Sequence, residues 1–251
     1  MTVSIIVILV VALVVLIIAV NAIQQHKQQA ELERRQKLAR FKLVFDQTED
    51  LIGVASSFPV GRALLLMLNR RALDAAQRMH GVAQTADNKA RVDDYKERVD
   101  AFKNDTNDAV SDSFDIPESD KQVINMLNAV KKLRSTLRSE HSKARIDTQN
   151  FLAEDRRLVK IQVQISVESL IRRGRSARST QMLGSARQYF EKALKTLDDQ
   201  SFNDDYITAR RAQVKEELDQ ITEELREGNA RDAANRKKDD LEELFQPKRK
   251  W

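Results

Sequence analysis

Residues 3–23 read VSIIVILVVALVVLIIAVNAI, and the length and composition of this stretch decide how the rest of the chain is interpreted. It contains no charged side chain, and the sixteen residues from Ile5 to Val20 are all Ile, Val, Leu or Ala. In a helix that rises about 1.5 Å per residue, these 21 residues extend about 31 Å and cross a hydrocarbon core about 30 Å thick. Fourteen of the residues from Ile5 to Val20 are Ile, Val or Leu, and together they favour insertion into a bilayer by about 4–8 kcal/mol.

This composition predicts a single transmembrane anchor over residues 1–23, since no other part of the chain is uncharged over a comparable length. A cleaved signal peptide is less favoured, because no Lys or Arg precedes the apolar run and the run exceeds the usual length of about 7–15 residues. A buried helix of a soluble core is also less favoured, because such a helix normally has a polar face. The residues expected to contact lipid are Val3, Ile5, Leu9, Leu13, Leu16, Val20 and Ile23.

The charges that flank the apolar stretch predict its orientation. Basic residues follow it closely and none precedes it, and basic flanks remain on the cytoplasmic side of a membrane. We therefore expect the amino terminus outside and residues 24–251 in the cytoplasm. The same cations are close enough to contact anionic lipid headgroups, at about 1 kcal/mol for each residue near the surface. The predicted headgroup contacts are Lys27, Arg34, Arg35, Lys37 and Arg40.

The overall composition predicts an all-α protein. Charged residues make up 32% of the chain and aromatic residues 5%, with only six Gly and three Pro, which is typical of long helices with narrow apolar stripes. The expected fold is one N-terminal transmembrane helix followed by a long-helix bundle or antiparallel coiled-coil hairpins. The absence of Cys from the sequence excludes disulfides, thiol catalysis and zinc–thiolate sites. The net charge of +5 comes from well-mixed charges and does not by itself indicate nucleic-acid binding.

Three helices are predicted in a juxtamembrane domain over residues 24–104. The first, over 24–53, has an apolar stripe, and the Ser- and Pro-containing stretch 53–61 separates it from the second, over 60–84. The apolar run 63–68 is too short to span a bilayer, so we expect a buried face rather than a membrane-surface segment. The third helix, over 88–104, has an apolar seam of Val92, Tyr95, Val99 and Phe102.

An acidic loop over residues 105–117 is expected to be a solvated turn, because it lacks the glycine and the final Glu of a calcium-binding EF-hand loop. Beyond it, residues 118–227 are predicted to form a helix of about 50 residues that continues to Gly174, and then a helical hairpin over 179–198 and 206–227. Within the long helix, residues 158–170 alternate between apolar and polar as a strand does, but no partner strand is evident, so helix is favoured over strand. Residues 228–251 are predicted to be a charged tail.

The densest basic patch consists of Arg172, Arg173, Arg175 and Arg178, with no acidic residue among them. Clustered Arg side chains bind phosphates, so a membrane tether for nucleic acid is an alternative function, but a solvated helix end explains the patch more simply. We find no phosphate-binding glycine loop, paired-histidine zinc motif, nucleophile elbow or dinucleotide fingerprint. The chain is therefore expected to have no enzymatic activity, no cofactor or metal, and no small-molecule substrate.

The expected function is a single-pass membrane scaffold or adaptor that recruits protein partners to the lipid bilayer, with homo-oligomerisation as a further possibility. A reversed topology would instead make the helical bundle an extracytoplasmic sensor domain. Nucleic acid is the less favoured partner.

Overall fold

The computed structural model describes residues 2–104, 114–200, 202 and 204–245, and within these ranges it describes the side chains from residue 21 to residue 236. This part of the chain contains seven α-helices and no strand, which confirms the predicted all-α class and helical bundle. The helices are α1 (Thr2–Ala55), α2 (Arg62–Val82), α3 (Ala86–Asn104), α4 (Asp120–Ser142), α5 (Thr148–Ser179), α6 (Leu183–Asp198) and α7 (Asp205–Phe245).

The chain forms two compact units, and the division between them falls inside α4 and α5. Unit 1 comprises Met1–Asp112 and Thr136–Glu154, and unit 2 comprises Ser113–Ser135 and Asp155–Trp251. No helix has an apolar stretch long enough to cross a membrane among the residues whose side chains the structure describes. The side chains of the predicted anchor from Val3 to Val20 lie outside those residues, and residues 105–113 of the predicted acidic loop 105–117 lie outside the described part of the chain.

The core of unit 1 is formed by α1, α2 and α3, as their apolar stripes predict. Packing on α1 begins at Leu38, whereas every residue from 21 to 37 is exposed. Phe45 of α1 meets Tyr95 of α3 edge to face, with ring centroids 5.3 Å apart. The predicted buried face of α2 is confirmed, because Leu64 is buried within the apolar run 63–68. Small side chains on α2 let the other helices approach it closely: Ala72, Ala75 and Ala76.

The predicted helix of about 50 residues is wrong, because α4 ends at Ser142 and α5 begins at Thr148. No Gly or Pro marks this break in the sequence. Ala144 has the left-handed φ of 55° that L-residues rarely adopt. The buried Glu140 carboxylate accepts hydrogen bonds from the side chains on either side of Ala144, at 2.9 Å from Lys143 and 3.1 Å from Arg145. These contacts favour the turn, and Asp147 then caps α5 by accepting from the Asn150 backbone N–H at 2.9 Å.

The strand-like alternation over 158–170 belongs to a helix that is buried on two sides. At 100° per residue, alternate positions of α5 fall into two sets on roughly opposite faces. The first buried face contains Leu158, Ile161 and Ile165. The second buried face contains Val163, Val167 and Ile171, which join the core formed with α6 and α7. The preference for helix over strand is therefore confirmed.

Gly174 does not end the helix, contrary to the prediction, because α5 continues to Ser179. A Cβ atom on Gly174 would lie 2.8 Å from the Cζ atom of Phe190, a fully buried residue of α6. The glycine therefore permits a close approach of α6 to α5. The turn between them depends on Gln181, which has φ of 60°, and on the Met182 N–H, which donates to the Ala177 carbonyl at 2.9 Å.

Gly228 is likewise inside a helix, because α7 continues through Gly228-Asn229 to Phe245 instead of ending near Glu227. Apart from its chain neighbours and the local helix backbone, no atom of the described residues lies within 4 Å of a Cβ built on Gly228, so this glycine has open space around it. The two glycines thus share a helical backbone and differ in their surroundings.

Gly174→Ala is expected to lower the free energy of unfolding by about 1–2 kcal/mol, because overpacking against Phe190 exceeds the gain of about 1 kcal/mol in helix propensity. Gly228→Ala, the matched control, is expected to raise it by up to about 1 kcal/mol, since only the propensity changes. Urea unfolding of the full-length protein in detergent, followed by far-ultraviolet circular dichroism, measures both. Equal shifts for the two variants would contradict the close approach at Gly174.

Candidate functional site

The predicted basic patch in unit 2 is held by carboxylates from other helices. The Arg173 guanidinium pairs with Asp120 of α4 at 3.0 Å. Arg175 and Arg178 bind Glu217 of α7, at 3.0 Å and 3.1 Å, and Arg178 also pairs with Glu224 of α7. Three of the four cations that are adjacent in the sequence are therefore engaged in ion pairs.

Arg172, the remaining member of the patch, is in a different environment. Its Nη2 atom is buried and has no hydrogen-bond partner among the described residues. The structure therefore does not bring the four side chains together into one solvent-facing cationic surface. Of the four patch residues, only Arg175 and Arg178 border a cavity of about 740 Å³. The charged residues that line this cavity are three cations and three carboxylates: Arg175, Arg178, Arg231, Glu217, Glu224 and Glu227. Such a balance does not attract a polyanion.

The predicted headgroup contacts lie on α1, and all five side chains are exposed. Arg35 and Lys37 pair loosely along the helix with acids four residues earlier, at 3.9 Å and 3.8 Å. Arg34 donates through Nε to the Val82 carbonyl near the end of α2, at 2.8 Å. Exposed pairs of this kind contribute little to stability, so these cations are available to an external anionic surface.

A second polar cluster, in unit 1, was missed by the sequence analysis and is centred on Glu140. The Glu140 side chain is 1% exposed. Its carboxylate accepts from Arg71 Nη1 at 2.5 Å, from Lys143 Nζ at 2.9 Å and from Arg145 Nη1 at 3.1 Å. Burial alone raises the pKa of Glu140, but the Lys143 hydrogen bond and the three positive charges together hold the pKa below its ordinary value. Glu140 is therefore ionised at neutral pH.

Further hydrogen bonds extend this cluster across unit 1. Arg71 donates through Nε to Thr48 Oγ1 at 3.0 Å, which connects α2 to α1. Asp74 accepts from Arg145 at 3.1 Å and from Arg78 at 3.2 Å. The side chains surround a cavity of about 310 Å³, and the residues that line it are Phe41, Val44, Arg71, Asp74, Ala75, Arg78, Glu140, Lys143 and Arg145. We call this the unit 1 cavity.

One sequence signal for the cluster exists, and it lies on α4. Glu140 follows the buried Leu133 by seven residues and the buried Leu137 by three, so it occupies a position of the apolar stripe. An acidic residue at such a position is buried only when it is paired. Its partners from α2 are remote in the sequence and could not be identified from spacing.

Among the described residues, no group of three His, Asp or Glu side chains is arranged to hold a metal ion. His141 of α4 stacks on the Phe151 ring of α5, with the ring centroids 4.1 Å apart. Its Nε2 atom lies 3.5 Å from Thr148 Oγ1. His141 is thus part of the packing between α4 and α5 in unit 1.

Comparison of the chain with protein-family models, with curated proteins and with solved structures gives no match.

Proposed function

We propose that the chain is a single-pass membrane protein whose helical bundle acts as a non-enzymatic scaffold or adaptor that recruits protein partners to the membrane. In this proposal residues 1–23 anchor the chain, the amino terminus is outside and the packed units are cytoplasmic. Confinement at a membrane raises the local concentration of the bundle, so that weak contacts with a partner become effective.

The observation that carries this proposal is the continuity of α1. One uninterrupted helix from Thr2 to Ala55 contains the apolar stretch at one end and core residues of unit 1 at the other. Between them, residues 21–37 are exposed throughout, a length of about 25 Å at 1.5 Å per residue. A helix of this kind acts as a spacer between an anchor and a folded unit. We call residues 21–37 the spacer.

The exposed cations of the spacer support the proposed orientation, because the basic flank is expected to remain in the cytoplasm. The nucleic-acid alternative has less support. The carboxylates of α7 neutralise Arg175 and Arg178, and a phosphate backbone would have to displace them. We therefore propose protein partners.

Alkaline carbonate extraction of membranes tests the anchor. The full-length chain is expected in the membrane pellet, and the double variant Leu13→Arg/Leu16→Arg is expected in the supernatant. Each Arg near the centre of a span opposes insertion by about 2.5–3.5 kcal/mol, which offsets most of the favourable total. Leu32→Arg is the matched control, because Leu32 is 56% exposed in the spacer, and it should stay in the pellet. Release of the unprocessed native chain would overturn the anchor.

Crosslinking in intact membranes, followed by mass spectrometry, tests the scaffold. A partner protein crosslinked to the native chain is expected to lose its membrane association when Leu13→Arg/Leu16→Arg replaces the native chain. The Leu32→Arg variant should retain the partner. A partner whose membrane fraction is the same with all three chains would contradict recruitment.

A further inference from the structure

The unit 1 cavity contains more positive than negative charge. Four cations line it, Arg71, Arg78, Lys143 and Arg145, against the two carboxylates of Asp74 and Glu140. Here Glu140 alone receives three cationic side chains, so two positive charges in the lining remain uncompensated. Arg71 is 17% exposed and is the least hydrated of these cations, and a partly desolvated charge attracts an anion more strongly than a fully hydrated one.

The cations also retain donor groups that the internal hydrogen bonds do not use. The hydrogen bonds of Arg71 to Thr48 and Glu140 use Nε and Nη1, so its Nη2 atom remains available to donate to a ligand. Lys143 donates to Glu140 through Nζ, which carries three N–H bonds. Arg78 donates through Nε to Asp74, and its guanidinium lies 5.8 Å from the centre of the Phe41 ring. Donors from α2 and from the α4–α5 turn therefore converge on one cavity.

The acids hold these cations in place before any ligand arrives. Glu140 fixes Arg71, Lys143 and Arg145 from a position that is itself buried, and Asp74 fixes Arg78 and Arg145. Prior ordering of long side chains lowers the entropy lost on binding. The site thus has the features of a built anion receptor: converging donors, fixed geometry and surplus charge.

We propose that the unit 1 cavity binds the phosphate group of a small phosphorylated ligand. Arg forks match the oxygens of a phosphate, and a Lys ammonium adds a compact charge. The volume of about 310 Å³ is sufficient for a small molecule. Phe41 and Val44 supply an apolar wall for the remainder of such a ligand. This inference does not depend on the membrane anchor.

Calorimetric titration of the full-length protein in neutral detergent, with inorganic phosphate and with pyrophosphate as probes, tests the proposal. Saturable binding of one anion per chain is expected. Lys143→Gln and Arg78→Gln should each weaken it by roughly tenfold or more, the contribution of one charge-assisted hydrogen bond. Circular dichroism verifies that both variants are folded. Lys143→Gln leaves Glu140 paired with Arg71 and Arg145, so this variant is expected to fold.

Unit 1 offers a closely matched control for each variant. Lys103 is 48% exposed and pairs with Asp100 three residues earlier, as Lys143, 49% exposed, pairs with Glu140. Arg98 pairs with Asp94 four residues earlier and lies over the Tyr95 ring, as Arg78 pairs with Asp74 and lies over Phe41. Lys103→Gln and Arg98→Gln should leave binding unchanged. Equal weakening by test and control variants, or no saturable binding below about 10 mM, would overturn the proposal.

The phosphate group has two possible sources, a free phosphorylated molecule and a lipid headgroup. Protein reconstituted in phosphatidylcholine nanodiscs, with and without phosphatidylglycerol, distinguishes them. If the headgroup competes for the site, the native chain binds pyrophosphate more weakly in the anionic discs than in the neutral discs. The Lys143→Gln chain then shows no such difference between the two kinds of disc. Unchanged binding assigns the site to a free ligand.

Discussion

Glu140→Ala is expected to lower the free energy of unfolding by about 3 kcal/mol. Removing one partner of a buried ion pair leaves the opposite charge without compensation, at a cost of about 3–5 kcal/mol. The low end applies because Arg145 and Lys143 are 37% and 49% exposed and remain partly hydrated, whereas Arg71 is 17% exposed. Urea unfolding of the full-length protein in detergent, followed by circular dichroism, measures the change.

Asp94→Ala provides the control for Glu140→Ala. Asp94 pairs with Arg98 on the surface of α3, and its side chain is 50% exposed. Exposed pairs contribute about 0–1 kcal/mol, so this substitution should change the stability little. A Glu140→Ala variant as stable as Asp94→Ala would show that the buried cluster is not required for the fold of unit 1.

The same carboxylate makes the stability depend on pH. Because the pKa of Glu140 in the folded state lies below the ordinary value of 4.5, the folded state favours the ionised form. The stabilisation is present above about pH 4.5 and is lost as the pH falls through the folded pKa. The difference in the free energy of unfolding between the native protein and Glu140→Ala should therefore decrease on acidification. If this difference in the free energy of unfolding stayed constant down to strongly acidic pH, the lowered pKa of Glu140 would be contradicted.

Phe190→Ala is expected to lower the free energy of unfolding by about 3–5 kcal/mol, the range for deleting a buried aromatic ring. Phe190 is fully buried in the core of unit 2, and its ring lies over Gly174. Two of its core neighbours on α6, Ala186 and Ala193, are too small to refill the space. Urea unfolding measures this change as well.

A double-mutant cycle tests whether the effect of Gly174→Ala arises from its contact with Phe190. In the Phe190→Ala background, Gly174→Ala no longer meets the ring and should become stabilising by up to about 1 kcal/mol, the helix-propensity gain. If Gly174→Ala remains destabilising there, its effect does not arise from the contact with Phe190.

The helices of unit 1 could be predicted because their apolar residues repeat with the period of a helix that is buried on one face. The spacing of Tyr95 and Val99, for example, already identifies the packed side of α3. The secondary structure of residues 158–170 was ambiguous because the helix there is buried on two faces and not on one. A helix that is buried on two opposite faces also alternates between apolar and polar, so periodicity alone does not distinguish it from a strand.

The breaks at the two ends of α5 could not be placed from the sequence, because tertiary contacts determine them, whereas the breaks at 53–61 and after Asp198 were predicted. The turn at Ala144 depends on Glu140, and no Gly or Pro marks it. Gly174 and Gly228 are local signals for a break, yet both lie inside helices. Gly174 is there because Phe190, sixteen positions later in the sequence, packs against it.

In the candidate site, too, charged residues could be recognised from the sequence, but their partners could not. The arginine patch was visible as a run of cations, but its counter-charges are remote in the sequence: those on α7 lie 39–46 positions away, and Asp120 of α4 lies 53 positions away. In the Glu140 cluster, Arg71 and Glu140 are 69 positions apart. Only the acidic residue on the apolar stripe of α4 was detectable beforehand.

The spacer has a consequence for the lifetime of the protein. None of the side chains of its 17 residues is buried, so packing against the cores contributes little to the stability of the helix there. Local opening there leaves the two cores intact, so a trypsin-like protease gains access at Lys27 before either unit unfolds. In the proposed membrane-anchored form, one cut at that residue would separate both units from residues 1–23 in a single irreversible step.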